Sequence, residues 1–338
     1  MALIGTWNLE NLYRPGGPFG PPDKAAYEAK LDAIAAVVDR LRPDILAVQE
    51  VGDPGALADL ATHLGTGDPP GSWHTALSAH PDSRGIRVGF LSRLPLAVVA
   101  DTDAFPPPLH RVQVQDFGPA AESMGRGALA VRAEPAPGAE LLLICCHLKS
   151  KLLSFPGGRF APRDEGERAR YAAYALFRRA AEAAAVRRLA DELLTGSAGE
   201  EGREGQDSPA APANPTPRSL ALLGDLNDGP DAATTQLLHG PPGSEFDSPG
   251  FGRPDRGDAH RLWNVAARIP PERRYSRVYR GRRELIDHVL LSHALLDRLA
   301  EVTAGSGAAL PSMTDDPVRT AANGRPSDHA PVLARLNY

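Results

Sequence analysis

One stretch limits the possible architectures more than any other. Leu220, Ala221, Leu222 and Leu223 run unbroken into Gly224-Asp225-Leu226-Asn227-Asp228. A surface strand would alternate apolar and polar residues, so a continuous apolar run reads as a strand covered on both faces. It leads into a glycine turn that carries a carboxylate and, two positions later, an amide. Residues two apart on extended chain point the same way, so Asp225 and Asn227 are expected to project together from the strand's end. They offer hard oxygen ligands with no positive charge nearby in sequence, a combination that suits Mg²⁺. By itself the stretch is equally ordinary turn chemistry. Its meaning depends on what other strand ends bring beside it.

Residues 2–8 read as a short strand ending at Asn8. After a Gly- and Pro-rich loop at 15–22, Ala26, Tyr27, Leu31, Ile34, Ala35, Val38 and Leu41 recur at three and four. That spacing predicts an amphipathic helix over 23–41, with Asp23 as N-cap and Pro43 just past its end. The buried strand 45–48 then terminates in Gln49 and Glu50. Strand, helix and strand, with a polar residue at each strand end, make a layered α/β start. A shorter helix over 53–64 and strands over 84–93 and 126–131 follow. The strand 141–146 delivers His147. A long helix over 163–194 has Tyr171, Tyr174, Leu176 and Phe177 marking its apolar face. A short helix at 231–239, a strand over 285–291 with Asp287 inside it, and a closing strand over 331–336 complete the chain.

Residues 195–219 contain no aliphatic side chain larger than alanine and cannot bury a core. They are expected to be a disordered loop inside one domain spanning 1–338, because units on either side would each lack half of the strands.

The net charge of −5 over 338 residues excludes wholesale coating of nucleic acid and leaves room for a local basic groove. Cys145 and Cys146 are adjacent on one strand and face opposite ways, so they do not pair with each other and a reduced compartment is allowed. No apolar run approaches a membrane span. Met1 to Asn8 enters the first strand without a basic region and apolar core, which reads as no signal peptide and a cytoplasmic protein. No obligate protein partner is evident. Arg268, Arg273, Arg274, Arg277, Arg280, Arg282 and Arg283 crowd one stretch, with Tyr275 and Tyr279 interleaved. Such a cluster can track a polynucleotide backbone, or it can be a solvated charged loop.

Strand ends and turns thus carry Asn8, Glu50, His147, Asp225 with Asn227, and Asp328 with His329. Asp287 lies inside an apolar strand, where a carboxylate needs a partner, and that placement marks it as functional. The ordered set of Thr6-Trp7-Asn8, Val48-Gln49-Glu50, Cys146-His147-Leu148-Lys149-Ser150, Gly224-Asp225-Leu226-Asn227, Ile286-Asp287-His288 and Ser327-Asp328-His329 resembles the endonuclease/exonuclease/phosphatase superfamily. The resemblance covers residues 3 to 336. Arg84 to Arg93, His147 to Lys151 and Tyr275 to Tyr279 further resemble its bacterial nuclease-like branch.

The resemblance implies a deoxyribonuclease I-like four-layer α/β sandwich, with two mostly antiparallel sheets face to face and helices outside. It implies water-driven cleavage of phosphoester bonds, with Mg²⁺ as cofactor and Mn²⁺ able to substitute. By the same resemblance Glu50 is the principal metal carboxylate, with Asn8 beside it and Asp328 a further metal-side acid. Asp225 and Asn227 orient the attacking water. His329 touches the scissile phosphate while Asp287 holds its other nitrogen, and His147 binds the phosphate from the opposite side or assists the leaving group. Arg87, Arg126, Lys149, Tyr275 and Arg277 are candidate phosphate contacts. One departure stands out: the glutamate that supports the histidine in pancreatic-type enzymes is here Gly127. The expected function is a nuclease acting on DNA, with RNA as a further substrate. The alternatives are a phosphatase or diesterase for small phosphorylated metabolites or lipid headgroups, and a non-catalytic binding protein on the same fold.

Overall fold

The computed structural model describes residues 1–66, 72–196, 218–246, 248, 251, 255, 257–305, 307, 309–313 and 326–338. The loop expected to be disordered, 195–219, lies outside the described residues except at its two ends.

The N-terminal half runs β1 (Ala2–Leu12), α1 (Lys24–Leu41), β2 (Ile45–Val51), α2 (Pro54–Gly65), β3 (His74–Leu77), β4 (Arg87–Ser92), β5 (Ala97–Ala104), β6 (Ser123–Ala136) and β7 (Ala139–His147). The rest runs α3 (Glu165–Thr195), β8 (Leu220–Asp225), α4 (Ala233–His239), β9 (Leu262–Asn264), β10 (Arg277–Tyr279), β11 (Arg282–Glu284), β12 (Asp287–Ser292), β13 (Leu299–Ala304), β14 (Ser312–Met313) and β15 (Val332–Leu336). Helix starts follow local chemistry. Asp23 Oδ1 accepts from Ala26 N at 2.8 Å, and Asp164 caps α3 in the same way through Glu167 N. In α2, Asp53 caps and Pro54 takes the first turn, where its missing N–H costs nothing.

Two six-stranded sheets, ordered β13-β15-β1-β2-β4-β3 and β5-β6-β7-β8-β12-β9, form the body. Within them β1–β2 and β7–β8 pair parallel and the other pairs are antiparallel. The sheets pack face to face through Ile4, Ala47, Phe90, Leu143, Cys145, Leu223 and Val289. The outer face of the first sheet is covered by α1 and α2 through Leu31, Ile34, Leu57 and Leu60. The outer face of the second is covered by α3 and α4 through Val186, Leu189, Leu193 and Leu238. Helix, sheet, sheet, helix is the four-layer sandwich that the family resemblance implies. It also explains the unbroken apolar runs: Leu222 joins the helix-side core and Leu223 the inter-sheet core, and Cys146 and Cys145 divide likewise. Both thiols are buried and free.

Three local expectations change. Gly224 belongs to β8 and does not open a turn; the turn begins after Asp225. Glycine is needed there because a Cβ would lie 2.1 Å from the Cys146 carbonyl oxygen across the parallel β7–β8 pair. The apolar face of α3 is not marked by Leu176 and Phe177, which are exposed. The helix meets the sheet through Ala181, Ala183, Ala185, Val186 and Ala190, whose small side chains allow close approach. Asp287 is the first residue of its strand and sits at the sheet's end, not in its interior.

Candidate active site

The register of three neighbouring strands sets the site. His147 pairs with Asp225 across β7–β8, and Asp225 with Asp287 across β8–β12, so the three stand abreast at one end of the second sheet. On the first sheet Asn8 pairs with Gln49 at the matching end of β1–β2. Asn8 Nδ2 crosses between the sheets, 3.0 Å from Asp225 Oδ2 and 3.3 Å from Glu50 Oε1. His329, just ahead of β15, places Nδ1 2.7 Å from Asp287 Oδ2. The ligand atoms of Asp225, Asp287 and His329 all lie within 4.8 Å of one another.

Local backbone conformation aims these groups. Glu10, Asn11, Glu50 and Asn227 all adopt the left-handed region, with φ of 50°, 57°, 61° and 53°. Each such residue costs on the order of 1 kcal/mol, and such costs gather at functional sites. The β1–β2 register shifts after Asn8 and the β2–β4 register shifts after Val48, so a paired bulge turns Glu10 and Glu50 toward the site. Asn11 N donates to Glu50 Oε2 at 3.0 Å and Glu10 N to Asn8 Oδ1 at 2.9 Å. Asn227 does not project from extended chain as expected. Its backbone N–H caps Asp225 Oδ1 at 2.9 Å, and its Nδ2 donates to the Leu148 carbonyl at 2.9 Å.

Burial and neighbouring charge set the protonation states. Burial, then the Asp287 charge, push the Asp225 carboxyl up to about 7. Burial opposes charge on His329, but Asp287 and Asp328 outweigh it and raise the ring to about 10, so it is an imidazolium. His147 is driven well below the usual histidine range, first by burial and then by the Arg126 charge, so its ring is neutral. Burial together with Asp328 pushes Glu10 up to about 7. Three side-chain carboxyls, Glu10, Glu50 and Asp328, thus crowd one place, and the Asp287 Oδ1 atom is buried with no hydrogen-bond partner among the described residues. Hard, crowded oxygens of this kind fit a divalent cation such as Mg²⁺. The protonated His329 ring is a poor metal ligand by comparison.

The Gly127 departure has a spatial cause. A Cβ there would meet Ser78 Oγ at 2.5 Å and His80 Cβ at 2.9 Å, leaving no room for a side chain. His147 instead faces Asp225, with Nε2 3.3 Å from Oδ2, and its Nδ1 has no hydrogen-bond partner among the described residues.

The candidate phosphate contacts divide. Arg126 lies near His147 and holds Asp82 at 3.4 Å. Arg277 bridges to His329 through the backbone, with Nε 4.0 Å from Asp328 Oδ2. Arg87 donates to the Gly85 carbonyl, and Arg84 is the neighbouring arginine whose charge reaches His147. The Lys149 ammonium donates to the carbonyls of Ser150 and Leu152, and burial lowers it to about 8. Tyr275 packs under the Arg283 guanidinium. The arginine stretch makes several separate contacts: Arg274 donates to the Ile269 and Ala267 carbonyls, Arg268 lies over Phe246, and Arg277 and Arg280 lie over Tyr279.

Several residues of the site carry little sequence signal. Glu182 on α3 accepts from Lys149 N at 2.6 Å and Gly125 N at 2.9 Å, and Arg179 donates to the Lys149 carbonyl and to Asp228. Both are buried charges on the sheet-facing side of a helix, the one clue available. Ser327 Oγ donates to the Asn8 carbonyl at 2.6 Å and joins the two parts of the site. Asp228 does more than turn chemistry: it accepts from Thr234 and pairs with Lys151 and Arg179.

The sequence matches the Endonuclease/Exonuclease/phosphatase family over residues 5–329. No curated protein matches the chain. Among solved structures, truncated Caenorhabditis elegans TDP2 is similar at 15% identity and a TM-score of 0.53, covering 100% of this chain and 98% of that one. The human Nocturnin catalytic domain with a bound sulfate anion is similar at 14% identity and a TM-score of 0.52, covering 99% and 94%. A Bacteroides thetaiotaomicron mannosyl-6-phosphatase is similar at 13% identity and a TM-score of 0.50, covering 100% of both chains. At these identities the likeness is one of fold.

Proposed function

The chain belongs to the Endonuclease/Exonuclease/phosphatase family and is a metal-dependent hydrolase of phosphoester bonds; on that premise we propose that it is a Mg²⁺-dependent nuclease acting on DNA, with RNA as a further substrate. The observation that carries the reading is the geometry that sets Asp225 abreast of the Asp287–His329 couple, their ligand atoms within 4.8 Å of one another. A base and a cation stand within reach of one phosphorus centre. Asp225 takes the proton of the attacking water as the water oxygen bonds to phosphorus and the ester P–O bond breaks. The proton returns through solvent to the leaving oxygen. Asn8 Nδ2 and the Asn227 backbone N–H hold Asp225 in place. His329, its tautomer set by Asp287, donates from Nε2 to a non-bridging oxygen, and neutral His147 turns its ring toward Asp225. Mg²⁺ or Mn²⁺, held by Glu50 and Asp328 with Glu10 and Asn8 alongside, would neutralise charge on the phosphoryl oxygens. Arg84, Arg126 and Arg277 supply cationic surface around the phosphate. A second reading, hydrolysis of a small phosphorylated metabolite, draws support from the engagement of Arg274 by the Ile269 and Ala267 carbonyls and of Arg268 by the Phe246 ring.

The test is incubation with plasmid, single-stranded DNA, RNA and phosphorylated small molecules, with and without EDTA. Metal-dependent cleavage of polynucleotide is the expected result; its absence across all three polymers would sink the nuclease reading. Asp225→Ala and His329→Ala are each expected to lower kcat by about 10²–10⁴-fold while circular dichroism stays native. Near-wild-type turnover in either removes that residue from the mechanism.

A further inference from the structure

A cavity of about 800 Å³ opens beside the site, with Asn227 and Arg277 in its lining. The volume suits a nucleotide-sized group. Its walls are the loop after His147 and the β10–β11 hairpin, and its lining combines two chemistries. Leu152, Phe160 and Ile286 give it an apolar side, and Phe160 and Leu152 are 74% and 51% exposed. Large apolar side chains left wet on one loop beside a catalytic centre form a surface that awaits an apolar face. The same lining carries Arg277 and Arg280, whose guanidiniums lie 5.3 and 5.5 Å from the centre of the Tyr279 ring. Stacking on one ring pre-orders both for an anion. Arg277 Nε is buried with no hydrogen-bond partner among the described residues and reaches back to Asp328 at 4.0 Å, so this side chain joins cavity and catalytic centre.

We infer that this cavity is a subsite for an unstacked nucleobase and its adjoining phosphate, so that the substrate is an unpaired strand in preference to a closed duplex. The inference rests on the nuclease reading above. A base offers the flat apolar faces that Phe160 and Leu152 match, and the next phosphate offers the charge that Arg277 and Arg280 match. A sugar ring would need many neutral hydrogen-bonding groups, and among the lining residues Ser150 and Asn227 are the neutral polar side chains besides Tyr279. A paired base must leave its stack to enter, a cost that is least for a strand already single.

Steady-state kinetics with Mg²⁺ on one short oligonucleotide, single-stranded and as a blunt duplex, provide the test. The expected result is a kcat/KM about tenfold or more higher on the single strand. Phe160→Ala, a change at an exposed position that leaves the core intact, is expected to raise KM on the single strand about tenfold with kcat held within about twofold. Equal rates on the two forms, or an unmoved KM in Phe160→Ala, overturn the subsite while leaving the nuclease reading standing. If no polynucleotide is cut, the nuclease reading fails separately. Calorimetric titration of a single-stranded trinucleotide into the protein in EDTA then reads the subsite without turnover. Binding weakened about tenfold by Phe160→Ala supports it, and equal binding overturns it.

Discussion

Asp287 and His329 show how much one hydrogen bond can decide. The carboxylate stands 2.7 Å from Nδ1, inside a fully buried environment that would otherwise neutralise the ring. Asp287→Asn keeps the shape and removes the charge, so the His329 pKa is expected to fall from about 10 toward or below the ordinary histidine range. NMR titration of the ring reads that fall, and kcat is expected to drop by about 10²–10⁴-fold with KM little changed. A variant that kept its activity with a lowered ring pKa would show that the imidazolium is not needed. Glu10 makes the complementary point. On extended chain it would share Asn8's direction by simple alternation, yet what brings it into contact with the Glu50 and Asp328 charges is the left-handed turn of residues 10 and 11.

Elements act here through close approach and capping. β7 and β8 come so near at Gly224 that the glycine has no space for a methyl group. Gly224→Ala is expected to destabilise the protein by about 1–3 kcal/mol and to separate His147 from Asp225. Urea unfolding together with turnover measures both, and an unchanged midpoint would mean the strands can part without cost. The C-terminus of α1 offers the opposite change. Arg42 is exposed and left-handed at φ 53°, with its N–H bonded to the Val38 carbonyl. Glycine adopts that conformation without the Cβ penalty, so Arg42→Gly is expected to stabilise by up to about 1 kcal/mol, read as a higher melting temperature. α3 contributes through buried polar atoms as well as apolar ones. Glu182 and Arg179 tie the loop after His147 and the turn after Asp225 to the same helix.

At the scale of the molecule, the two sheets must stay in register for the site to exist, so global stability and activity are linked. His239 and His288 are held below the ordinary histidine value, chiefly by burial. Each binds a proton more readily when unfolded, so the stability linked to them is present above about pH 6.5 and is lost as pH falls. Asp225 and Glu10, pushed up to about 7, work in the other direction, losing stability as pH rises from the carboxylate range through 7. A single variant isolates the histidine effect. His288→Gln is expected to flatten the acid limb by up to about 1.4 kcal/mol per pH unit below 6.5, measured by urea unfolding at a series of pH values. An identical slope in the two proteins would mean that His288 titrates alike folded and unfolded. Among the described residues no helix is long and apolar enough to cross a membrane.

Local patterning sufficed for the buried central strands, the capped helices and the ordered polar residues at their ends, because burial on both faces leaves a continuous apolar run and a cap needs only near neighbours in sequence. Edge strands such as β5 and β13 carry no such run, since they are mostly exposed or half-buried and their partners hold them in place. From the residues alone Asp225 could be placed at a strand's end, whereas Asn227, expected to project beside it, turns left-handed and donates to the Leu148 carbonyl; by resemblance Asp287 could be paired with His329. Which oxygen faces which nitrogen, why Gly127 cannot carry a glutamate, and how one arginine stretch is divided among separate partners were decided only by the tertiary structure. The reason is physical: those contacts join residues tens to hundreds of positions apart, and no local propensity encodes a distance between two sheets.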